Sequence, residues 1–416
     1  LTYIKTYKFR LCPTNKQEQR FAQWVGATRY VYNLCLSYKN TLYKDHGISI
    51  TKNDLQKELK DIKNDVSWIG DVHSQVLQES TDRLYKAYDN FFRRVKKGET
   101  PGFPKFAKRD FWSSFTFKQG VKVHPNTNRV QLPNIGKVKF RKSQDIVGVI
   151  KTASVKREAD GWYVCITAET KKRAYPKTDK VIGIDLGLKD LAIASDGYVF
   201  DNPRTLRKWS NKLSKSQKSL SRKKLGSNNR NKAKKELKSL HQKIARVRGD
   251  NLHKVTSQII NENQVIICED LNTRGMLKNH KLAKSISDAS WGKLTSMLEY
   301  KSKWADREFV KVSAHYTSQD CNNCGWRKSD LKLSDRIWTC GSCEQSNDRD
   351  INAAKNIRDK GIKKLSESGI AIKLQEKEAG HAFSTFGYIG PVRVGAEELI
   401  QTNRETLSGT EESHAL

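Results

Sequence analysis

"VIGIDLGLKDLAIASDGYVF", residues 181–200, is the stretch that decides the fold. An apolar run ends at Asp185, a turn follows, and a second apolar run meets the turn residues Asp196 and Gly197 before a third. Short apolar segments split by turn residues predict three consecutive strands in a meander, the opening of an α/β sheet. The first of those strands carries a carboxylate, Asp185, to its end.

Working downstream, residues 204–248 hold 17 Lys and Arg against one acidic residue, with Leu213, Leu220, Leu237 and Leu240 at loose helical spacing. The pattern predicts one helix continuing to about Asn261. Such an imbalance favours contact with phosphates over a merely solvated face. "NQVIICED", residues 263–270, reads as a short buried strand ending in Glu269 and Asp270. Helical spacing returns from Trp291 to Arg307, and "EFVKVSAHYTSQDC", residues 308–321, reads as another strand. "INAAKNIRDKGIKKL", residues 351–365, predicts a helix that stops around Gly361, and residues 366–416 are expected to form a disordered tail.

Upstream, "LTYIKTYKFRL", residues 1–11, alternates as a strand until Pro13. Thr14 and Gln17 form a capping box, and Phe21, Trp24, Thr28, Val31, Cys35, Tyr38 and Leu42 follow at helical spacing. A second helix is expected from Val72 to Lys97, with Val76, Leu84, Tyr88, Phe91 and Val95 on one face, so residues 14–100 read as a small helical bundle. Residues 111–168 then change to short alternating segments between Gly, Pro and Asn turns, the pattern of a small β-barrel or sandwich. With its opening strand separated from the rest, the expectation is a barrel carrying a helical insertion.

Composition narrows the function. The chain has 416 residues, 78 Lys and Arg against 45 Asp and Glu, a net charge of +33 and a pI near 9.8. That charge points to nucleic acid as partner. A mean hydropathy of −0.74 and the lack of any long apolar run or signal-peptide core speak against a membrane partner, and predict a soluble intracellular protein. Cys12, Cys35, Cys165 and Cys268 sit in apolar segments and are expected to be small buried hydrophobes.

The other four cysteines form two CxxC pairs, Cys321 with Cys324 and Cys340 with Cys343, fifteen residues apart. That is the spacing of a four-cysteine zinc ribbon, whose closed thiolate shell makes the metal structural. An iron–sulfur cluster is the alternative.

Asp185, Glu269 and Asp350 lie far apart in sequence but all at element ends, where one sheet edge can gather them. Gathered carboxylates repel unless cations lie between them, and oxygen ligands of this kind suit Mg2+ or Mn2+. Each residue has a plainer reading: Asp350 or Asp348 as a helix N-cap, Glu269 as a charge at a strand end. "GIDLG", residues 183–187, also suits a phosphate-binding turn of sugar kinases and actin-like ATPases, but a second Gly-rich phosphate loop is not evident.

"VIGIDLGLKDLAIASDG" (181–197), "VIICEDLNTRGM" (265–276), "HYTSQDCNNCG" (315–325) and "NDRDINAAKNI" (347–357), in that order, resemble the RuvC-type nuclease core of the transposon-encoded TnpB family. "YKFRLCPTNKQ" (7–17) and "GFPKF" (102–106) are similar to that family too. The resemblance covers about residues 1–360 and implies an RNA-guided DNA endonuclease related to type V CRISPR effectors. It implies an RNase H-like domain with Asp185, Glu269 and Asp350 as catalytic Mg2+ ligands, Asp350 being preferred to Asp348 by its D-x-N relation to Asn352.

The same resemblance implies a multidomain α+β architecture: a wedge barrel at 1–12 and 107–175, a helical recognition domain at 13–106, a RuvC-like nuclease at 176–317 and 346–365, and a zinc ribbon at 318–345. Its partners are then a guide RNA derived from a transposon end and double-stranded target DNA beside a short adjacent motif. A monomer on each RNA, in the cytoplasm of a prokaryotic cell and associated with the nucleoid, is expected. Three rival readings are an RNA-guided repressor that does not cut, a guide-independent RuvC-like nuclease, and a DNA-strand transposase, the last disfavoured by the resemblance.

Overall fold

A computed structural model describes residues 2–171, 175–332 and 334–368. Of the tail expected at 366–416, Ser366 and Glu367 instead close the last helix, and residues 369–416 lie outside the described residues. The chain divides into two compact units after Lys171.

In the first unit, β1 (Thr2–Cys12) turns Tyr7, Phe9 and Leu11 inward at alternate positions. Pro13 ends it, and Thr14 and Gln17 cap α1 (Asn15–His46) reciprocally, each side chain serving the other's backbone N–H. Gly47 closes α1 at φ +68°, a left-handed value that glycine adopts without strain. A second capping box at Thr51 and Asp54 starts α2 (Lys52–Asp65), which the apolar spacing had not separated from the bundle. It is followed by the single turn α3 (Ser67–Gly70) and the long α4 (Ser74–Lys96).

The chain then forms β2 (Ser114–Phe117), β3 (Lys122–His124), β4 (Arg129–Leu132), β5 (Gly136–Arg141), β6 (Val149–Glu158) and β7 (Gly161–Lys171). These join β1 in one antiparallel sheet of seven strands, ordered β2-β6-β7-β1-β5-β4-β3. β1 pairs with β7 from Thr2 to Arg10 and with β5 from Arg10 to Cys12, so α1–α4 are an excursion between β1 and β2. The edge strands β2 and β3 do not pair with each other, which makes the sheet a half-barrel where a barrel was expected. Trp24 of α1 fills the sheet's concave side, with ring centroids 5.4 Å from Phe115 and 5.8 Å from Phe117. Cys12, expected inside, is exposed because it is the last residue of β1, facing away from the core; Cys35 and Cys268 are buried.

The second unit is built on the expected meander: β8 (Val181–Asp185), β9 (Asp190–Ala194) and β10 (Val199–Asp201). Two helices follow where one was expected, α5 (Thr205–Ser221) and α6 (Asn228–Glu262). The break has clear causes: Gly226 sits at φ +80°, and the Ser227 side chain accepts from Arg230 N to cap α6. The Arg230 guanidinium then reaches back to donate to Leu220 O at 2.8 Å and Lys223 O at 2.9 Å, a cation satisfying carbonyls at the end of α5.

Next come β11 (Val265–Glu269), α7 (Thr273–Met276), α8 (Ala283–Ala289), α9 (Trp291–Ala305), β12 (Glu308–Val312), β13 (Ile337–Thr339), β14 (Ser346–Asp348) and α10 (Arg349–Glu367). The main sheet runs β10-β9-β8-β11-β12, with β11 parallel to both β8 and β12. β12 stops at Val312, well short of the strand expected through residue 321, and a turn occupies the difference. β13 and β14 form a separate small hairpin.

α10 runs past Gly361, where the sequence suggested a stop. That glycine serves contact: a Cβ there would lie 2.4 Å from Ile267 Cγ2 of β11. Gly183 of β8 does the same from the sheet side, since its Cβ would lie 2.1 Å from Ala354 O of α10. Two missing side chains let this helix press onto the centre of the sheet, well inside ordinary helix-to-sheet spacing.

Candidate functional site

Because β8 and β11 are parallel neighbours, with Ile184 level with Cys268, their next residues reach the same sheet edge. Those residues are Asp185 and Glu269. Glu269 is only 6% exposed, whereas Asp185 keeps part of its surface open at the edge although protein surrounds it on most sides. The close seat of α10 brings its first turn, with Asp350, into the same electrostatic neighbourhood.

The effect on protonation is large. Asp185 is pushed up to about 8, first by burial and then by the charges of Glu269 and Asp350, with Arg349 and the Leu186 backbone amide opposing. Glu269 is also raised, by burial, against a hydrogen bond from Thr317 and the charge of Lys360. Thr317 Oγ1 donates to Glu269 Oε1 at 2.9 Å. Asp348 and Asp350 have different tasks. Asp348 is the N-cap of α10, its Oδ1 accepting from Asp350 N at 3.0 Å and Ile351 N at 2.9 Å. Asp350 is thereby released from capping, and its Oδ2 accepts from Arg336 Nη1 at 2.8 Å.

A cleft of about 180 Å³ opens beside Glu269 and Asp270, walled by Leu186, Trp291, Ser296 and Lys311. Trp291 Nε1 donates to Gly187 O at 3.1 Å, fixing the turn that follows Asp185. An Asp185 held back from ionising by burial and by the charges of Glu269 and Asp350 fits a hard divalent cation, which would remove that repulsion. The carboxylates are less tightly gathered than the cysteines. Among the described residues, the one close-set group of three or more Cys, His, Asp or Glu is Cys321, Cys324, Cys340 and Cys343, all with Sγ atoms within 4.8 Å of one another.

Cys321 Sγ lies 3.7 Å from Cys343 Sγ, and Cys324 Sγ lies 3.5 Å from Cys340 Sγ. Four sulfurs around a tetrahedral zinc at about 2.3 Å would stand about 3.8 Å apart, close to these two separations, so the cluster suits zinc. The thiols share protons unevenly. Cys343 is drawn down to about 6 by the Asn323 side chain and then by the Gln345 backbone amide. For Cys324 the Trp326 backbone amide acts downward, but desolvation and the other three thiols outweigh it and lift the group to about 11. Asn347 Nδ2 donates to Cys321 Sγ at 3.6 Å, the kind of outer contact that orients a thiolate ligand.

Thr317, Arg336 and Lys360 were absent from the sequence-based set. Only Thr317 carried a usable signal, a hydroxyl just ahead of the first CxxC; the reach of Arg336 to Asp350 depends on how the ribbon folds.

Fold and site together define a mixed α/β multidomain protein with a half-barrel sheet, an acid-edged second sheet and a four-cysteine cluster. Residues 163–280 match the OrfB_IS605 family model, described as a probable transposase, and residues 291–357 match the Cas12f1-like TNB domain. Residues 3–47 match a model described as a helix-turn-helix domain, although here that span is one strand followed by one long helix. An Escherichia coli protein named "Putative RNA-guided DNA endonuclease InsQ" is 32% identical over 373 residues, covering 85% of this chain and 91% of its own. A Streptomyces pristinaespiralis protein named in the same terms is 31% identical, covering 90% of this chain and 93% of its own. The CRISPR-associated endodeoxyribonuclease Cas12f1 of Sulfoacidibacillus thermotolerans is 22% identical over 228 residues, covering 50% of this chain and 52% of its own. The chain belongs to the TnpB family of transposon-encoded proteins.

Proposed function

We propose that the protein is an RNA-guided DNA endonuclease of an insertion sequence, with Asp185, Glu269 and Asp350 as its catalytic carboxylates. The observation that carries this reading is the pairing of Asp185 and Glu269 at one edge of parallel strands, with Asp350 acting on Asp185 from the first turn of α10. An electrostatic arrangement that resists ionisation in isolation suits carboxylates that work with cations between them. Mg2+ or Mn2+ ions held there would supply activation of water and stabilisation of the departing 3′ oxygen, leaving a 5′ phosphate.

The residues of the chain do the rest. In this scheme Asp185 and Asp350 offer oxygens to the scissile phosphate and its cations, while Glu269 is held by Thr317. The four-cysteine cluster takes zinc and fixes the ribbon from which Arg336 reaches Asp350. The α5–α6 hairpin, with cations such as Lys212, Lys215, Lys232 and Lys235 along it, contacts nucleic-acid phosphates. Residues 1–12 and 107–175 serve as the wedge that grips guide RNA, residues 13–106 as the recognition domain for the adjacent motif and heteroduplex, residues 176–317 and 346–365 as the RuvC-like nuclease, and 318–345 as the ribbon. Base pairing reads the target, which leaves the protein to hold backbones. One chain on one guide RNA is sufficient for this scheme. No described helix is long and apolar enough to cross a membrane.

The test is cleavage of a plasmid library bearing a guide-matched target beside randomised bases, by protein purified with RNA from its native flank. Cuts that need the RNA and Mg2+ and vanish in Asp185→Ala support the reading. Target binding without cuts would replace it with the guided repressor, and cuts without RNA with a guide-independent nuclease.

A further inference from the structure

The segment between β12 and the ribbon is fixed from several sides. Tyr316 adopts φ +61°, uncommon for a bulky residue, and its ring lies under the Arg327 guanidinium at 3.7 Å. Arg327 also grips both carboxylate oxygens of Asp320, at 2.6 and 3.1 Å. From α10, Asn356 Nδ2 donates to Thr317 O at 2.8 Å and to Asp320 O at 2.7 Å, while Asn352 Nδ2 donates to Asp320 O at 2.8 Å. Asn352 Oδ1 accepts in turn from the backbone N–H of Asn322, inside the first CxxC knuckle, at 2.9 Å. At the centre of this lattice Thr317 is 4% exposed, with its hydroxyl turned to Glu269 and Ala314 O as a second acceptor at 3.1 Å.

Among the described residues no other hydrogen-bond donor reaches the Glu269 carboxylate, so one hydroxyl holds the orientation of a buried acid that lines the cleft. We propose that Thr317 is a positioning residue: its hydroxyl orients the Glu269 carboxylate toward the cation site, and Asn352 and Asn356 tie the backbone of residues 317–322 to the first cysteine knuckle and to the helix that carries Asp350. The inference rests on the carboxylate site proposed above. It explains why a four-cysteine ribbon is placed here: the fold of its first knuckle sets one acid through Thr317, while α10 sets another. A hydroxyl acting through a ligand belongs to the outer shell of a metal site, where substitutions change affinity by about 10- to 100-fold.

The test compares Thr317→Val, which keeps shape and removes the hydroxyl, with Thr317→Ser, which keeps the hydroxyl. Mn2+ is titrated into RNA-free full-length protein carrying its ribbon metal and read by electron paramagnetic resonance; the Mg2+ concentration for half-maximal guided cleavage is read separately. Thr317→Val is expected to weaken both by about tenfold with ribbon metal content unchanged, and Thr317→Ser to restore most of the loss. In a Glu269→Gln background, Thr317→Val is expected to add nothing. Wild-type behaviour of Thr317→Val, failure of Ser to rescue, or an equal loss in the Glu269→Gln background would overturn the proposal. So would loss of fold or ribbon metal in Thr317→Val, which would make the residue structural. Wild-type protein that binds Mn2+ no better than Asp185→Asn would instead overturn the carboxylate site itself, and the proposal with it.

Discussion

The four-cysteine ribbon and the acid-edged sheet are both clusters of anionic ligands, yet they are built in opposite ways. The four sulfurs lie within 4.8 Å of one another, held by two short knuckles and a hairpin, with amides aimed at them. The three carboxylates come from two strands and a helix, and burial works against ionisation of the two strand acids, Asp185 and Glu269. A closed soft cage makes its metal part of the fold; an open hard edge makes its metal part of the chemistry. The difference teaches that losing one ion should unfold something, while losing the other should leave the fold intact and stop the reaction.

The comparison breaks most visibly at Cys340→Ser. This variant is expected to lose the ribbon metal and, with it, folding of residues 321–348 and cleavage, measured by zinc content and by proteolysis of the ribbon. Structural zinc contributes on the order of 10 kcal/mol or more to such modules, so an intact, active variant would refute the ribbon's role.

Asp185→Asn is expected to reduce guided cleavage to background while leaving RNA binding within a few-fold of wild type. It also gives a stability test with a definite sign. The folded pKa of Asp185, about 8, stands above its unfolded value, so its favourable contribution is complete below the unfolded pKa and is lost as pH rises through the folded one. In Mg2+-free buffer that leaves the ribbon metal in place, wild type should lose stability between about pH 4 and 8 relative to Asp185→Asn. The Tm advantage of the variant should grow over that window and then level off, and Mg2+ should narrow it.

A smaller effect is expected at Gly361→Ala, whose methyl would collide with Ile267. Overpacking of this kind costs about 1–3 kcal/mol, read as a lower Tm with ribbon metal retained. Ile267→Val should relieve part of it when combined. The smallest effect belongs to the α5–α6 hairpin: Lys235→Gln should weaken nucleic-acid binding slightly and reduce the slope of log affinity against log salt by about 1 if one phosphate contact is lost.

Much of this was legible in the chain because the signals were local. The CxxC pairs, the apolar runs ending at Asp185 and Glu269, and the capping box at Thr14 each depend on neighbours a few residues away. Gly361 misled because a glycine late in a helix looks like a terminator, whereas here it is the contact surface for Ile267, a fact only tertiary packing holds. The α5–α6 break was readable from Gly226 and Ser227 but was hidden by the continuous basic pattern on both sides. The half-barrel could not be separated from a barrel, because closure depends on whether two edge strands, β2 and β3, meet. Asp348 and Asp350 were ambiguous for a related reason: either can cap α10, and only the hydrogen bonds from Asp350 N and Ile351 N assign that task to Asp348.

The most direct measurement is anomalous scattering from crystals of the protein soaked in Mn2+, collected at the zinc and manganese edges. The account predicts a zinc peak among Cys321, Cys324, Cys340 and Cys343, and manganese bound by Asp185 together with Glu269 or Asp350 and absent from Asp185→Asn. Manganese that binds elsewhere and ignores that substitution would contradict it.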